Sequence, residues 1–218
     1  MLRRTAGRLA AAAIAIAIGC TPLAGRAAGS FIKVVLPQGV HVELPRNFQV
    51  MSDNRRTTLD AAATATADIV KPDVNARSQT PLSALLYADN GTPIASTNIR
   101  YFPDAELTQG TVKRQRDRVA EVVDPGLRKG IKKGVSRMGF EVTDWQGTEV
   151  RDIHGLTALV TRYQRADTQT GSPFQVRLIR VYAASRTFFL TFSYRLAEWI
   201  LMEPIAERVT RSVRLNRN

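Results

Sequence analysis

The sequence predicts an α+β fold, an antiparallel β-sheet flanked by helices, and three observations carry that prediction. Residues Pro173 to Leu215 read as two strands followed by a closing helix. Residues Asp104 to Gly139 carry apolar stripes at helical spacing. Short runs of alternating polarity, separated by turn-forming residues, fill most of the rest. Helices that segregate from an antiparallel sheet in this way define the class.

The C-terminal unit is the anchor. Between Thr187 and Arg195, Phe188, Leu190, Phe192 and Tyr194 alternate with Thr187, Thr191, Ser193 and Arg195, with Phe189 also on the second face. That period of two marks a strand with one face on a core. The run before it sets Phe174, Val176, Leu178 and Tyr182 against Gln175, Arg177, Ile179 and Val181, so its second face is expected to be partly wet. A short connection, Ala184 to Arg186, makes the two an antiparallel hairpin. Glu203-Pro204 is expected to start the last helix, because a proline in first position lacks an N–H that has no partner there anyway. Ile205, Ala206, Val209 and Val213 then form one stripe for the sheet.

The upstream elements follow in order. Phe31 to Leu36, a Pro37-Gln38-Gly39 turn, and Val40 to Leu44 form a hairpin with one wet face, on which His41 and Glu43 sit; Phe48 and Val50 continue it. Thr58 to Val70 is a helix by its Leu59, Ala62, Ala63, Thr66, Ile69 and Val70 spacing, stopped by Lys71-Pro72-Asp73. Ser83 to Ala88 and Ile94 to Phe102 pair across Asp89-Asn90-Gly91, since Asn-Gly favours tight hairpin turns. Val119, Val122 and Val123 mark one helical stripe; Leu127, Ile131, Val135 and Met138 mark a second. Between them Asp124 is expected to cap a new helix starting at Pro125 and ended by Gly139. Two strands, Phe140 to Val150 and Gly155 to Arg165, lead through a polar loop from Asp167 to Ser172 into the anchor. No internal repeat or second domain is evident.

The first residues carry an export signal. Arg3, Arg4 and Arg8 precede an apolar run, Leu9 to Ile18, too short to span a bilayer but right for a signal peptide. The run ends at Ala17-Ile18-Gly19-Cys20, which resembles the lipobox of bacterial lipoproteins, whose cysteine becomes the acylated N-terminus; Ala17 stands where leucine is preferred. Gly25 to Ala28 offers a competing ordinary cleavage site. The expected organisation is a signal peptide over residues 1–19, a flexible tether over 20–30 and a single domain over 31–218. Thr21 after the cysteine favours, by the lipoprotein rule, anchoring to the outer membrane from the bacterial periplasm. Cys20 is the only cysteine, so disulfides, thiolate metal sites and cysteine nucleophiles are excluded from the domain.

The whole chain of 218 residues has a net charge of +12; its 31 basic residues less Arg3, Arg4 and Arg8 leave 28 against 19 acidic ones, or +9. Such a balance favours an anionic membrane surface, an acidic protein or a nucleic acid, and export removes the last. The charge concentrates on Lys113, Arg114, Arg116, Arg118, Arg128, Lys129, Lys132, Lys133 and Arg137, offset by Asp117, Glu121 and Asp124. These nine residues are the candidate partner-binding patch; a solvated helix face is the plain alternative.

Motifs for catalysis are missing. His41 and His154 have neither HExxH nor paired-His spacing and are expected on the surface. There is no G-x-S-x-G elbow and no phosphate-binding glycine loop. Asp144, Glu149 and Asp152 are read as solvated charges, and Trp145 and Trp199 as core residues. No catalytic residue, metal or cofactor is expected.

The opening Val42-Glu43-Leu44-Pro45 strand, the Phe189 to Tyr194 strand and the closing Arg211-Ser212-Val213-Arg214-Leu215 together resemble the PsbP-like superfamily over residues 31–215. That superfamily includes an extrinsic photosystem subunit, DcrB-type envelope lipoproteins and periplasmic immunity proteins. The resemblance implies an α/β/α sandwich used mostly as a non-catalytic binding scaffold. The expected function is a non-enzymatic envelope protein, lipid-anchored at Cys20, that binds an envelope protein with an acidic surface, as an accessory factor or as an immunity protein against a secreted toxin. A periplasmic carrier of a lipid or small apolar ligand, and an uncharacterised hydrolase, are the alternatives.

Overall fold

The computed structural model describes residues 30–36, 39–51, 79–102, 107–183 and 186–215. The expected export signal, Cys20 and the helix expected from Thr58 to Val70 lie outside the described residues. Within them the predicted α+β class holds.

Among the described residues ten strands form two antiparallel sheets. β1 (Phe31–Val35), β2 (Val40–Pro45) and β10 (Arg214–Leu215) make the small one, in the order β1-β2-β10. β3 (Gln49–Val50), β4 (Gln79–Tyr87), β5 (Pro93–Phe102), β6 (Phe140–Ile153), β7 (Leu156–Asp167), β8 (Pro173–Ala183) and β9 (Arg186–Arg195) make the large one, in the order β3-β4-β5-β9-β8-β7-β6. The β8–β9 hairpin, paired from Phe174↔Arg195 to Ala183↔Arg186, is therefore at the centre of the large sheet. Three helices accompany the sheets among the described residues: α1 (Gln109–Arg114), α2 (Arg116–Arg137) and α3 (Trp199–Ser212).

Both faces of the large sheet are covered. On one face Ile179, Val181, Phe188, Leu190 and Phe192 join Met202, Ile205, Ala206 and Val209 of α3 and Val40, Val42 and Leu44 of β2 in the main core. On the other, Val176, Leu178 and Tyr163 pack on Ile131 and Val135 of α2, while Leu159 and Tyr182 pack on Val119 of α2 and Val112 of α1. Every position of β8 from Gln175 to Tyr182 is buried, so the partly wet second face expected for this strand is corrected. The misleading residues are Gln175 and Arg177, which are buried because each finds polar partners inside.

Two helix starts also differ from expectation. Pro125 opens no new helix: α2 runs unbroken through it. An interior proline costs a backbone hydrogen bond, of order 3 kcal/mol. Here both halves of α2 dock on one sheet face, and Trp145 Nε1 donates to Asp124 Oδ2 at 3.0 Å at the junction. Pro204 likewise lies inside α3, which starts at Trp199 after a 3-10 turn over Leu196–Glu198. The turn before the proline is fixed by fully buried Met202 and by the Glu203 carboxylate. The carbonyl that proline leaves without a donor belongs to Ile200, which is exposed. Gly139 does end α2 as expected, at φ 77, with its N–H on the Ser136 carbonyl at 3.2 Å.

Candidate functional site

The predicted basic patch lies along α1 and α2. Helical periodicity sends Leu127, Gly130, Ile131, Gly134 and Val135 to the sheet, and the cations between them outward. All nine predicted residues are exposed. Lys113, Arg114, Arg118, Arg128, Lys129, Lys132 and Lys133 form no ion pair with any described residue. Val122, 74% exposed, adds one apolar side chain to this face, and Asp117 and Glu121 add the only exposed acids of α2.

Two of the nine have other work. Arg116 Nη1 donates to Asp152 Oδ2 at 2.5 Å and so ties the start of α2 to β6. That guanidinium holds the Asp152 carboxyl below its ordinary range. Arg137 has an interaction partner of its own. Asp124, counted as an opposing charge on this face, is half-buried and serves Trp145 instead.

A second polar concentration, not anticipated from sequence, lies between α3 and the large sheet. Arg177, 2% exposed, meets the Glu203 carboxylate through Nη2, Glu207 Oε2 through Nη1 at 2.8 Å, and Thr210 Oγ1 at 3.2 Å. Tyr194 donates to Glu203 Oε2 at 2.6 Å; burial, then the Glu203 carboxylate, push the phenol well above its usual range. Glu207 also accepts from Arg151 at 3.1 Å and Arg211 at 2.8 Å. Glu149 bridges Arg151 at 2.8 Å and Arg162 at 2.7 Å. Burial alone would raise the Glu207 carboxyl, but Arg211, Arg177 and Arg151 outweigh it and hold the group low. The sequence did carry a signal: Glu203 and Glu207, four residues apart, flank the apolar stripe of α3, so both point at the strand bearing Arg177.

Two grooves flank this network. One of about 490 Å³ is lined by Gln146, Arg162, Gln164, Gln175, Leu196, Trp199 and Glu203. The other, about 560 Å³, is lined by Arg116, Val150, Arg151, Asp152, Ile153, His154, Glu207, Thr210 and Arg211. Their carboxylates are already engaged: Asp152 by Arg116 and Thr157, Glu203 by Arg177 and Tyr194, Glu207 by three arginines. Glu149 and Asp152, read from sequence as solvated charges, are thus ion-paired. His154 is exposed at φ 48 in the β6–β7 turn. No cluster of three His, Cys, Asp or Glu suited to a metal occurs among the described residues. Trp145 stacks on Tyr163 at 5.8 Å, as a core residue should. Trp199 does not: it is 52% exposed at the first position of α3, because the stripe that faces the sheet begins with Met202.

No family model matches the sequence, and no curated protein matches it. Among solved structures, cyanobacterial PsbP (CyanoP) from Synechocystis is similar at a TM-score of 0.51 and 10% identity, over 88% of this chain and 96% of that one. A protein from Bacteroides thetaiotaomicron is similar at 0.45 and 10% identity, over 85% of this chain; the match spans 48% of that longer protein. The immunity protein TplEi of the Pseudomonas aeruginosa T6SS, solved with a peptide, is similar at 0.41 and 9% identity, over 85% and 98% of the two chains. At these identities the likeness to CyanoP speaks for architecture alone.

Proposed function

The chain has the PsbP-like fold, and on that premise we propose that it is a non-enzymatic protein of the bacterial envelope that captures an acidic protein partner on the basic face of α1 and α2. The observation that carries this reading is the run of exposed cations, Lys113, Arg114, Arg118, Arg128, Lys129, Lys132 and Lys133, none of which forms an ion pair with a described residue. An excess of charge of one sign on one face steers an oppositely charged surface and accelerates encounter. Val122 in its midst supplies an apolar contact of the kind that interfaces centre on.

The export signal and Cys20 support the location: a periplasmic protein tethered to the outer membrane by acylation, with residues 20–30 as the tether. The closed ion pairs beside His154 and in both grooves support a binding protein over a hydrolase, because each carboxylate that lines a groove already has a cationic partner. The acidic partner is an envelope component served by this chain as an accessory factor, or a secreted toxin that it neutralises.

The purified chain, immobilised and exposed to envelope extract, tests this. The expected result is an acidic protein retained at low salt and released steeply as salt rises, since a contact of exposed charges is screened within about 8 Å at physiological ionic strength. Retention of a neutral or basic protein, unaffected by salt, overturns the reading. A captured protein encoded beside this chain and toxic to cells lacking it identifies the immunity role; a non-toxic one identifies the accessory role.

A further inference from the structure

Beyond the last turn of α2, neighbouring strands place Arg165, Phe174 and Arg195 in one cross-strand row. Phe174 precedes Val176 by two positions, so the row lies on the sheet face that α2 covers. The Arg165 guanidinium carbon stands 4.3 Å from the ring centre of Phe140 and 5.9 Å from that of Phe174. The Arg195 guanidinium carbon stands 6.0 Å from the same Phe174 ring. Phe140, on β6 beyond Arg165, meets Phe174 edge-on at 6.0 Å, so the Arg165 guanidinium lies against two rings.

Arg165 is half-buried and has no anion among the described residues. Its side chain makes no hydrogen bond and no ion pair with any described residue, and its Nε is buried without an acceptor. Burial lowers its proton affinity, yet arginine stays charged in proteins. The contrast with Arg177 on β8, which is met by two glutamates, is direct. Ring faces attract a guanidinium but accept none of its five N–H donors in the manner of an oxygen. Leaving the Nε of a half-buried guanidinium without an acceptor carries a cost, and natural sequences retain such costs at working sites.

We propose that Arg165 and Arg195, on either side of Phe174, form a binding site for an aliphatic dicarboxylate. A carboxylate matches the guanidinium fork with two parallel hydrogen bonds. Two strand spacings separate the backbones that carry the arginines, about 10 Å, so one small carboxylate serves one arginine and a second anionic group reaches the other. The methylene segment between them lies along the Phe174 ring. The same chemistry comes either from a free dicarboxylate or from two neighbouring glutamate side chains of a peptide.

Amide chemical-shift titration of the purified chain tests this, with glutarate, with acetate, and with a short peptide carrying two adjacent glutamates. The expected result is saturable shifts at Phe140, Arg165 and Phe174, with glutarate or the peptide binding at least tenfold more tightly than acetate. The tighter of the two identifies the source. Arg165→Met and Arg195→Met each weaken that binding tenfold or more. Arg165→Met also raises Tm by about 2–4 °C, because it removes a half-buried guanidinium whose Nε has no acceptor and keeps contact with the rings. No saturable shift at these residues, equal affinity for acetate, or unchanged binding by Arg165→Met overturns the proposal. A fall in Tm for Arg165→Met overturns it as well, since the guanidinium would then be holding the two rings together.

Discussion

Arg177 Nη1 lies 2.8 Å from Glu207 Oε2, joining the middle of β8, beside the central strand, to the helix that closes the main core. Arg177 heads the largest fully buried side chains of the chain, and the same glutamate holds Arg151 of β6 and Arg211 of α3. One carboxylate therefore fixes the position of α3 against two strands of the sheet.

Glu207→Ala removes that shared acid. It strands part of the charge on Arg177, and breaking one side of a buried pair costs about 3 kcal/mol. Arg177→Met is expected to cost less, because Glu203 and Glu207 reach water and Glu207 keeps two other arginines. Urea denaturation measures both: the midpoint falls more for Glu207→Ala than for Arg177→Met, with the slope unchanged. The reverse order would mean that Arg177 packing, not charge pairing, holds α3.

The same carboxyl gives the fold an acid dependence. Its folded pKa lies below the ordinary value of 4.5 because three arginines outweigh its burial. As pH falls the unfolded chain binds this proton first, so the contribution is complete above about 4.5 and is lost as pH drops through the folded value. Stability measured from pH 7 to pH 3 should therefore fall less steeply for Glu207→Gln than for the unaltered chain. Parallel curves would deny the pairing a role.

Phe192→Ala tests the centre of the core. The ring is fully buried, 5.9 Å from Phe48 and 6.2 Å from Tyr194, so its deletion should cost about 3–5 kcal/mol. A loss under about 1 kcal/mol in thermal or urea unfolding would show that the core can collapse around the gap.

How much of this was legible in the sequence follows from which signals are local. Alternation in Phe188 to Tyr194 and the Asn90-Gly91 turn identified strands and hairpin pairing correctly, because strand period and turn chemistry are properties of adjacent residues. Pro125 and Pro204 misled, because a proline at a helix start and one inside a helix look alike until packing decides between them. Arg177 misled for the same reason: a charge on a strand reads as wet unless its two glutamates, 26 and 30 residues on, are known to return to it. The basic residues of α1 and α2 were visible as charge on helix-forming sequence. That Arg116 belongs to Asp152 instead was not visible, since the strand bearing that acid returns only through the fold.

Acylation at Cys20 has its own readout. Cells expressing the chain and fed a labelled fatty acid should incorporate label, and Cys20→Ser should abolish it and release the protein to the soluble periplasm. Unlabelled, soluble protein from the unaltered gene would place cleavage at Gly25 to Ala28 instead.

The basic face is tested most directly by replacing Lys129, Lys132 and Lys133 together with glutamate and measuring partner capture and Tm on the same preparation. The three side chains are exposed and unpaired among the described residues, so Tm should move by no more than about 2 °C. Capture of the acidic partner should be lost. Capture undiminished at unchanged Tm would contradict recognition through this face and leave these lysines to solubility.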